Sequence, residues 1–296
     1  MSTAATTFDG IAEDRAVGLW ADAFHRMRRS PAAIVGGTIV VVFVLIAIFA
    51  PFLAPYEPTQ GNLSDSFLPP GPEHWFGTNI QGQDVFSRII FGSRLTLGIA
   101  VLSVTIGVTV GAFFGALAGY FRGWVDAVIM RGVDIMLSIP GLLFAIAVVT
   151  FLGRGVVQIS VAIAIVNIPI FARLLRGSLL ALREADYVVA ARSVGVNGGT
   201  ILLRHMLPNA LGPLIVQATL ALATAVVDAA ALGFLGLGPP DPRTPEWGTM
   251  LSDTYRYLNQ AIWLAFFPGI AIVLSVLGFN LLGDGMREAL DPRLRR

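Results

Sequence analysis

The chain has 296 residues, a formal net charge of +1, no cysteine, and a composition that is 55% hydrophobic and only 13% charged, with a mean hydropathy of +0.74. That balance lies outside ordinary soluble domains and marks a membrane protein. It excludes disulfides, thiolate metal sites and cysteine nucleophiles, argues against a nucleic-acid partner and, because all 20 basic residues are arginine, excludes a P-loop, whose lysine reaches the phosphates.

Six apolar runs are long enough to cross a hydrocarbon core, which takes about 20 helical residues. They fall at residues 32–54, 95–119, 127–151, 156–175, 210–236 and 261–283, and predict an all-α polytopic fold. The first follows Arg26, Arg28 and Arg29 as a signal peptide would, but its length and the flank from Pro51 to Pro58 read as a retained helix. Residues 1–31 then form a tail, 55–92 a loop, 93–284 a five-helix domain and 285–296 a second tail. Gly107, Gly111, Gly115 and Gly119 recur every fourth residue, a spacing that suits close helix contact and leaves a gating role open. Pro140 and Pro169 are tolerable where neighbouring helices satisfy the freed backbone groups.

Most of the arginines fall in the tails, in the loops after the second and fourth runs or in the ends of the runs beside those loops, among them Arg122, Arg131, Arg173, Arg176, Arg183, Arg192 and Arg204. Basic residues of short loops stay cytoplasmic, so both termini are expected inside and residues 55–90 outside. The same reckoning places the stretch EADYVVAARSVGVNGGTILLRHMLPN, Glu184 to Asn209, in the largest internal loop. Glu184 and Asp186 suit a helix N-terminus, Arg192 its end and Gly195 its C-terminal cap. Tyr187, Ala191 and Val194 fall at i, i+4 and i+7, one apolar stripe. A second short helix is expected from Thr200 to Met206, with Pro208 disfavouring helix at Leu207 and Asn209 capping the next membrane helix. By periodicity alone the loop could equally be a surface helix lying on lipid headgroups.

These residues carry a resemblance. Ala190-Ala191, Gly195 after three residues, and Leu207-Pro208 further on resemble the EAA loop of ABC importer permeases, with Val189 at the position of the motif's glutamate and His205 at that of its isoleucine. HWFGTNIQGQDVFSRIIFGSR from His74, LGFLGLGPP from Leu232, PEWGTML from Pro245 and FNLLGDGMREALDPRLR from Phe279 are similar to segments of the peptide and nickel branch, though Asn79 and Gln83 replace the more usual Asp and Arg. The likeness covers nearly the whole chain after the first thirty or so residues. It implies a type I ABC importer permease fold in the bacterial inner (plasma) membrane, paired as a heterodimer with a homologous permease, driven by two ATP-binding subunits and fed by an extracytoplasmic solute-binding protein. The cargo implied is a peptide, with nickel, haem or other small cargo as the alternative. In such a system the loop docks into a groove on the ATPase, and Glu184, Asp186, Tyr187, Ala190, Ala191, Val194, Gly195, His205, Leu207 and Pro208 are the candidate docking residues. ATP and Mg would be used by the partners, and this chain would carry no cofactor, catalytic residue or metal.

Ionisable and polar residues inside the membrane are functional candidates by default. Asp134 and Asp228, with Asn167, Gln217 and Thr224, are the candidate cavity residues, and Asp228 is open to either a cavity or a structural role. Two intramembrane aspartates could suggest an aspartyl protease. Against that, Leu281 occupies the first glycine position of a GxGD motif at Asp284, no tyrosine precedes Asp134, and His25, His74 and His205 all lie in tail or loops. A passive channel or secondary transporter fits the hydropathy but leaves the charged loop unexplained. No dense His or carboxylate cluster of the kind a metal cage requires is visible.

Overall fold

The computed structural model describes residues 25–290; the expected tails, at 1–31 and 285–296, lie largely outside that range. The described residues form helices and loops. Helix α1, Pro31–Ile48, starts at Ser30, whose hydroxyl accepts from the Ala33 amide, with Pro31 in the first turn where its missing N–H costs nothing. A short α2, Ala50–Leu53, extends it.

Helix α3, Val85–Phe121, begins well before the expected span because Asp84 caps it, accepting from the Ser87 amide at 2.7 Å and pairing with His74 at 2.9 Å. The apolar run at 127–151 is not one straight span. It divides into α4, Gly123–Leu137, and α5, Gly141–Leu152, bent by 93°. Pro140 lacks the N–H that would continue the ladder and biases Ile139 away from helix. Helix α6, Val156–Arg183, then runs parallel to α3 and makes its most extensive helix contact. The glycine row lies in that crossing: a Cβ on Gly111 would stand 2.6 Å from the Ile168 carbonyl oxygen, and one on Gly115 2.5 Å from that of Ala172. Close packing is therefore what these glycines provide here.

Beyond α6 come α7, Asp186–Ser193, and a single turn α8, Gly198–Ile201. The expected break at Leu207 does not occur. A π turn at Leu202–Met206 leads directly into α9, Leu207–Leu232, and Leu207 remains helical. The Leu207 amide bonds to the Leu202 carbonyl, five residues back, and this wider turn leaves room for the ring of Pro208, which cannot donate. Asn209 consequently does not cap a helix; its amide donates to the His205 carbonyl at 2.6 Å. A second π turn, Gly233–Leu237, ends the rod at Gly236, where φ is 76°. Helices α10, Trp247–Thr254, and α11, Trp263–Leu290, complete the chain.

Five helices or helical rods are long and apolar enough to cross a membrane, and the bent α4–α5 pair brings the number to six among the described residues. Two hydrophobic clusters hold them. The larger joins α3, α5, α6, α9, α10 and α11 around Trp247, Phe171 and Leu232. The smaller, around Leu175, Leu179 and Leu214, sits beneath α7 and α8.

Candidate coupling surface and translocation face

Helix α7 has the ends its sequence promised. Asp186 stands in the first turn and Arg192 in the last, each complementing the helix dipole. The Gly195 amide donates to the Arg192 carbonyl at 3.0 Å and the Val196 amide to that of Ala191 at 3.1 Å. Those two bonds are a Schellman cap, and Gly195 takes the left-handed conformation it needs, with φ 80°. No atom lies within 4 Å of a Cβ built on Gly195, so its role in the isolated chain is conformational.

The apolar stripe of α7 is not its buried face. Tyr187 and Val194 are exposed, and only Ala191 of the three turns partly inward. The anchor is Val188, fully buried against Leu175, Leu179, Ile201 and Met206. Sequence reasoning missed it because Ala185 and Ala191, its neighbours on the helix face, are too small to make a hydrophobic stripe. With Val188 holding α7 from below, Asp186, Ala190, Ser193 and Val194 form an open face of small and short side chains. Glu184 is exposed at the end of α6, and His205 and Pro208 are exposed along the π turn and the start of α9. Leu207 is half-buried against the smaller cluster. The Tyr187 hydroxyl lies 3.5 Å from the Asn209 amide nitrogen and ties the two segments.

The candidate cavity residues separate into three groups. Asp134 pairs with Arg173 of α6, and further along the same two helices Asp126 receives two hydrogen bonds, at 2.5 and 2.6 Å, from Arg176. Asn167 is buried; it donates to the Ile163 carbonyl and packs where a Cβ on Gly107 would fall, so it belongs to the α3–α6 contact rather than to an open wall. Gln217, Thr224 and Asp228 share one stripe of α9, since steps of seven and eleven residues return to within about 20° of the starting direction. Thr224 is exposed and Asp228 half-buried with no hydrogen-bond partner among the described residues. Nothing in the described chain covers Thr224, and the exposed Val227 borders the same face. Gln217 lines a groove of about 420 Å³ with Leu174, Leu220 and Arg287.

The other end of the bundle is densely bonded. Arg88, buried at the start of α3, donates to the carbonyls of Pro58 and Arg243 at 3.1 and 3.0 Å and to the Gln83 side chain at 2.6 Å. It thereby joins the loop before α3 to the loop after α9. Glu246 caps α10, accepting from the Gly248 and Thr249 amides at 2.9 and 2.8 Å. Burial pushes its carboxyl up to about 7, against these amide bonds and the Thr96 hydroxyl, which pull it down. Trp247 is fully buried and donates to the Ile89 carbonyl at 3.0 Å.

Residues 111–296 match the family described as the binding-protein-dependent transport system inner membrane component, and residues 18–70 match the N-terminal transmembrane domain of oligopeptide transport permease C. The chain belongs to this family. The permease is 48% identical over 280 residues to the dipeptide transport system permease protein of Alkalihalophilus pseudofirmus, covering 95% of this chain and 92% of that one. It is 44% identical over 280 residues to the glutathione transport system permease protein of Escherichia coli, covering 93% and 91%. In fold it is similar to the inward-facing methionine ABC transporter, with a TM-score of 0.58 at 22% identity over 69% of this chain and 96% of that one. It is thus a multi-pass membrane permease subunit of an ABC importer, and ATP hydrolysis belongs to partner ATPases. The matched regions take in the whole α7–α9 segment and the polar stripe of α9.

Proposed function

We propose that the permease pairs with a homologous permease and carries small peptides delivered by an extracytoplasmic solute-binding protein, driven by two ATPase subunits, one of which docks on the open face of α7. The observation that carries this reading is the contrast within α7 itself. Val188 anchors the helix to the bundle, while Asp186, Ala190 and Val194 stay open at a surface where small side chains let a partner's backbone come close.

Orientation follows from arginine placement. The ends of α3 and α6 and the α7–α8 loop share one basic end, which we place in the cytoplasm with both termini. Closure of the ATPases on ATP and Mg would draw the paired loops together, and the smaller cluster beneath α7 would pass that movement to α6 and α9. The stripe Gln217, Thr224 and Asp228 would line the path between the two permeases, where polar groups meet a peptide backbone. Peptide cargo is supported by relatives named for dipeptide and for glutathione transport.

The test is reconstitution of the permease with its sister permease, ATPase subunits and binding protein. Uptake of a labelled dipeptide should require all of them and should stop when the Walker lysine of the ATPase is replaced. Dipeptide uptake by the permease alone would overturn the reading.

A further inference from the structure

A pocket of about 440 Å³ lies between the far end of α3 and the α7–α8 loop, lined by Tyr120, Phe121, Arg183, Arg192, Gly198 and Met206. Two arginines face it from different elements, Arg183 at the end of α6 and Arg192 at the end of α7. Neither forms an ion pair among the described residues, in contrast to Arg173 and Arg176 on the same α6. Arg183 lies within electrostatic reach of Arg192 and Arg122, which repel it, and Glu184 is the one carboxylate that opposes them. Holding Arg183 and Arg192 together at a cavity, with Arg122 near, costs folding energy that a bound anion would return.

The surroundings indicate where that anion comes from. Phe121 and Trp124, at the junction of α3 and α4, are 59% and 77% exposed, and Tyr120 beside them is 39% exposed. Exposed aromatics grouped with arginine at the end of a spanning helix mark the headgroup level of a bilayer. The Tyr120 hydroxyl stands 3.4 Å from a Cβ built on Gly198, so it reaches from the membrane helix to the loop across the pocket. Arg122, with φ 55°, is held in the turn between α3 and α4.

We infer that this pocket binds the phosphate headgroup of an anionic phospholipid, clamped between Arg183 and Arg192. The phosphate would accept from both guanidinium groups and from the Tyr120 hydroxyl, while the acyl chains lie along Phe121 and Trp124. Because Arg192 rides on α7, the headgroup ties that helix to the bilayer as well as to the bundle. Arginine suits this task better than lysine because its planar fork matches phosphate oxygens in pairs.

The full chain, purified in nanodiscs of phosphatidylcholine with one part in four of phosphatidylglycerol, tests the site when the lipids retained after release are counted by native mass spectrometry. Wild type should retain phosphatidylglycerol over phosphatidylcholine, and R183Q/R192Q should reduce that preference roughly tenfold. R183K/R192K, which keeps the charge, should retain an intermediate preference. R204Q, on the exposed side of the π turn, should behave as wild type. Equal retention of both lipids, an unchanged preference in R183Q/R192Q, or an equal loss in R204Q would overturn the inference. Displacement of phosphatidylglycerol by inorganic phosphate at matched ionic strength would assign the pocket to free phosphate and overturn the lipid source. In the transporter assembled with its ATPase subunits in the same nanodiscs, release of the ATPase by R183Q/R192Q with lipid retention unchanged would assign the anion to an acidic side chain of that subunit and overturn the lipid assignment.

Discussion

The two ends of the bundle are built on opposite principles. At the end carrying Arg88, Glu246 and Trp247, long polar side chains are buried and their hydrogen bonds cross between distant segments, so that the loops before α3 and after α9 move as one body. At the end carrying α7 and α8 the polar side chains are exposed, the backbone passes through a π turn, and a small apolar cluster is the main attachment. A buried polar network fixes one geometry because every alternative strands a donor or acceptor. An apolar patch under a short helix permits small sliding adjustments at little cost. The α7 end can therefore transmit movement, while the Arg88 end holds still.

Removing Arg88 should break the rigid end most severely. Arg88→Met leaves the Pro58 and Arg243 carbonyls without their donor and takes from the Gln83 side-chain oxygen one of two, the Asn79 amide remaining, a loss of about 2–3 kcal/mol if each costs about 1. Thermal unfolding of the purified permease followed by tryptophan fluorescence should show a midpoint below those of Gly115→Val and Gly195→Val. An unchanged midpoint would mean that the two loops are held independently of Arg88.

Next in size is Gly115→Val at the α3–α6 crossing. Its Cβ would meet the Ala172 carbonyl oxygen at 2.5 Å, where backbone cannot yield, and overpacking of this kind costs about 1–3 kcal/mol. The same midpoint should fall and the yield of folded protein with it. A variant as stable as wild type would show that α3 and α6 can separate there without loss.

Gly195→Val should cost less and report on the mobile end. The left-handed conformation penalises a β-branched residue by about 1 kcal/mol or more, with no collision added because the space around Gly195 is open. Membrane level should survive while uptake falls. Normal uptake would show that the cap of α7 is not needed for coupling.

A last effect, seen only as pH is changed, is a slope at the rigid end. The carboxyl of Glu246 titrates near 7 in the fold against 4.5 unperturbed. A raised folded value means that its contribution is fully present below about pH 4.5 and is lost as pH rises through 7. Glu246→Gln should flatten the dependence of the unfolding midpoint on pH across that window. A slope identical to wild type would assign the titration to another group.

Hydropathy was enough to locate the spans because burying apolar residues in lipid needs length alone, whichever neighbour they touch. The 93° bend was hidden because the apolar run continues unbroken through Ile139, and Pro140 looks no different from Pro169, Pro213 and Pro268, which α6, α9 and α11 absorb. Pro208 misled in the opposite sense, since a widened turn let the helix continue where a regular one would have stopped. Gly195 was legible because its role is local, whereas the partners of Asp134 and Asp126 lie 39 and 50 residues away and no local spacing encodes them. Val188 escaped notice for a related reason: its burial depends on α6 and α9, not on its own helix.

The claim that most needs testing is that the open face of α7 receives the ATPase. Ala190→Arg places a long charged side chain on that face, away from Val188 and from the Schellman cap, so the fold of the loop is untouched. Membranes carrying this variant should contain the permease at the wild-type level and lose the bound ATPase when washed, with dipeptide uptake lost in parallel. Retention of the ATPase together with normal uptake would contradict the account and place the coupling contact elsewhere on the permease.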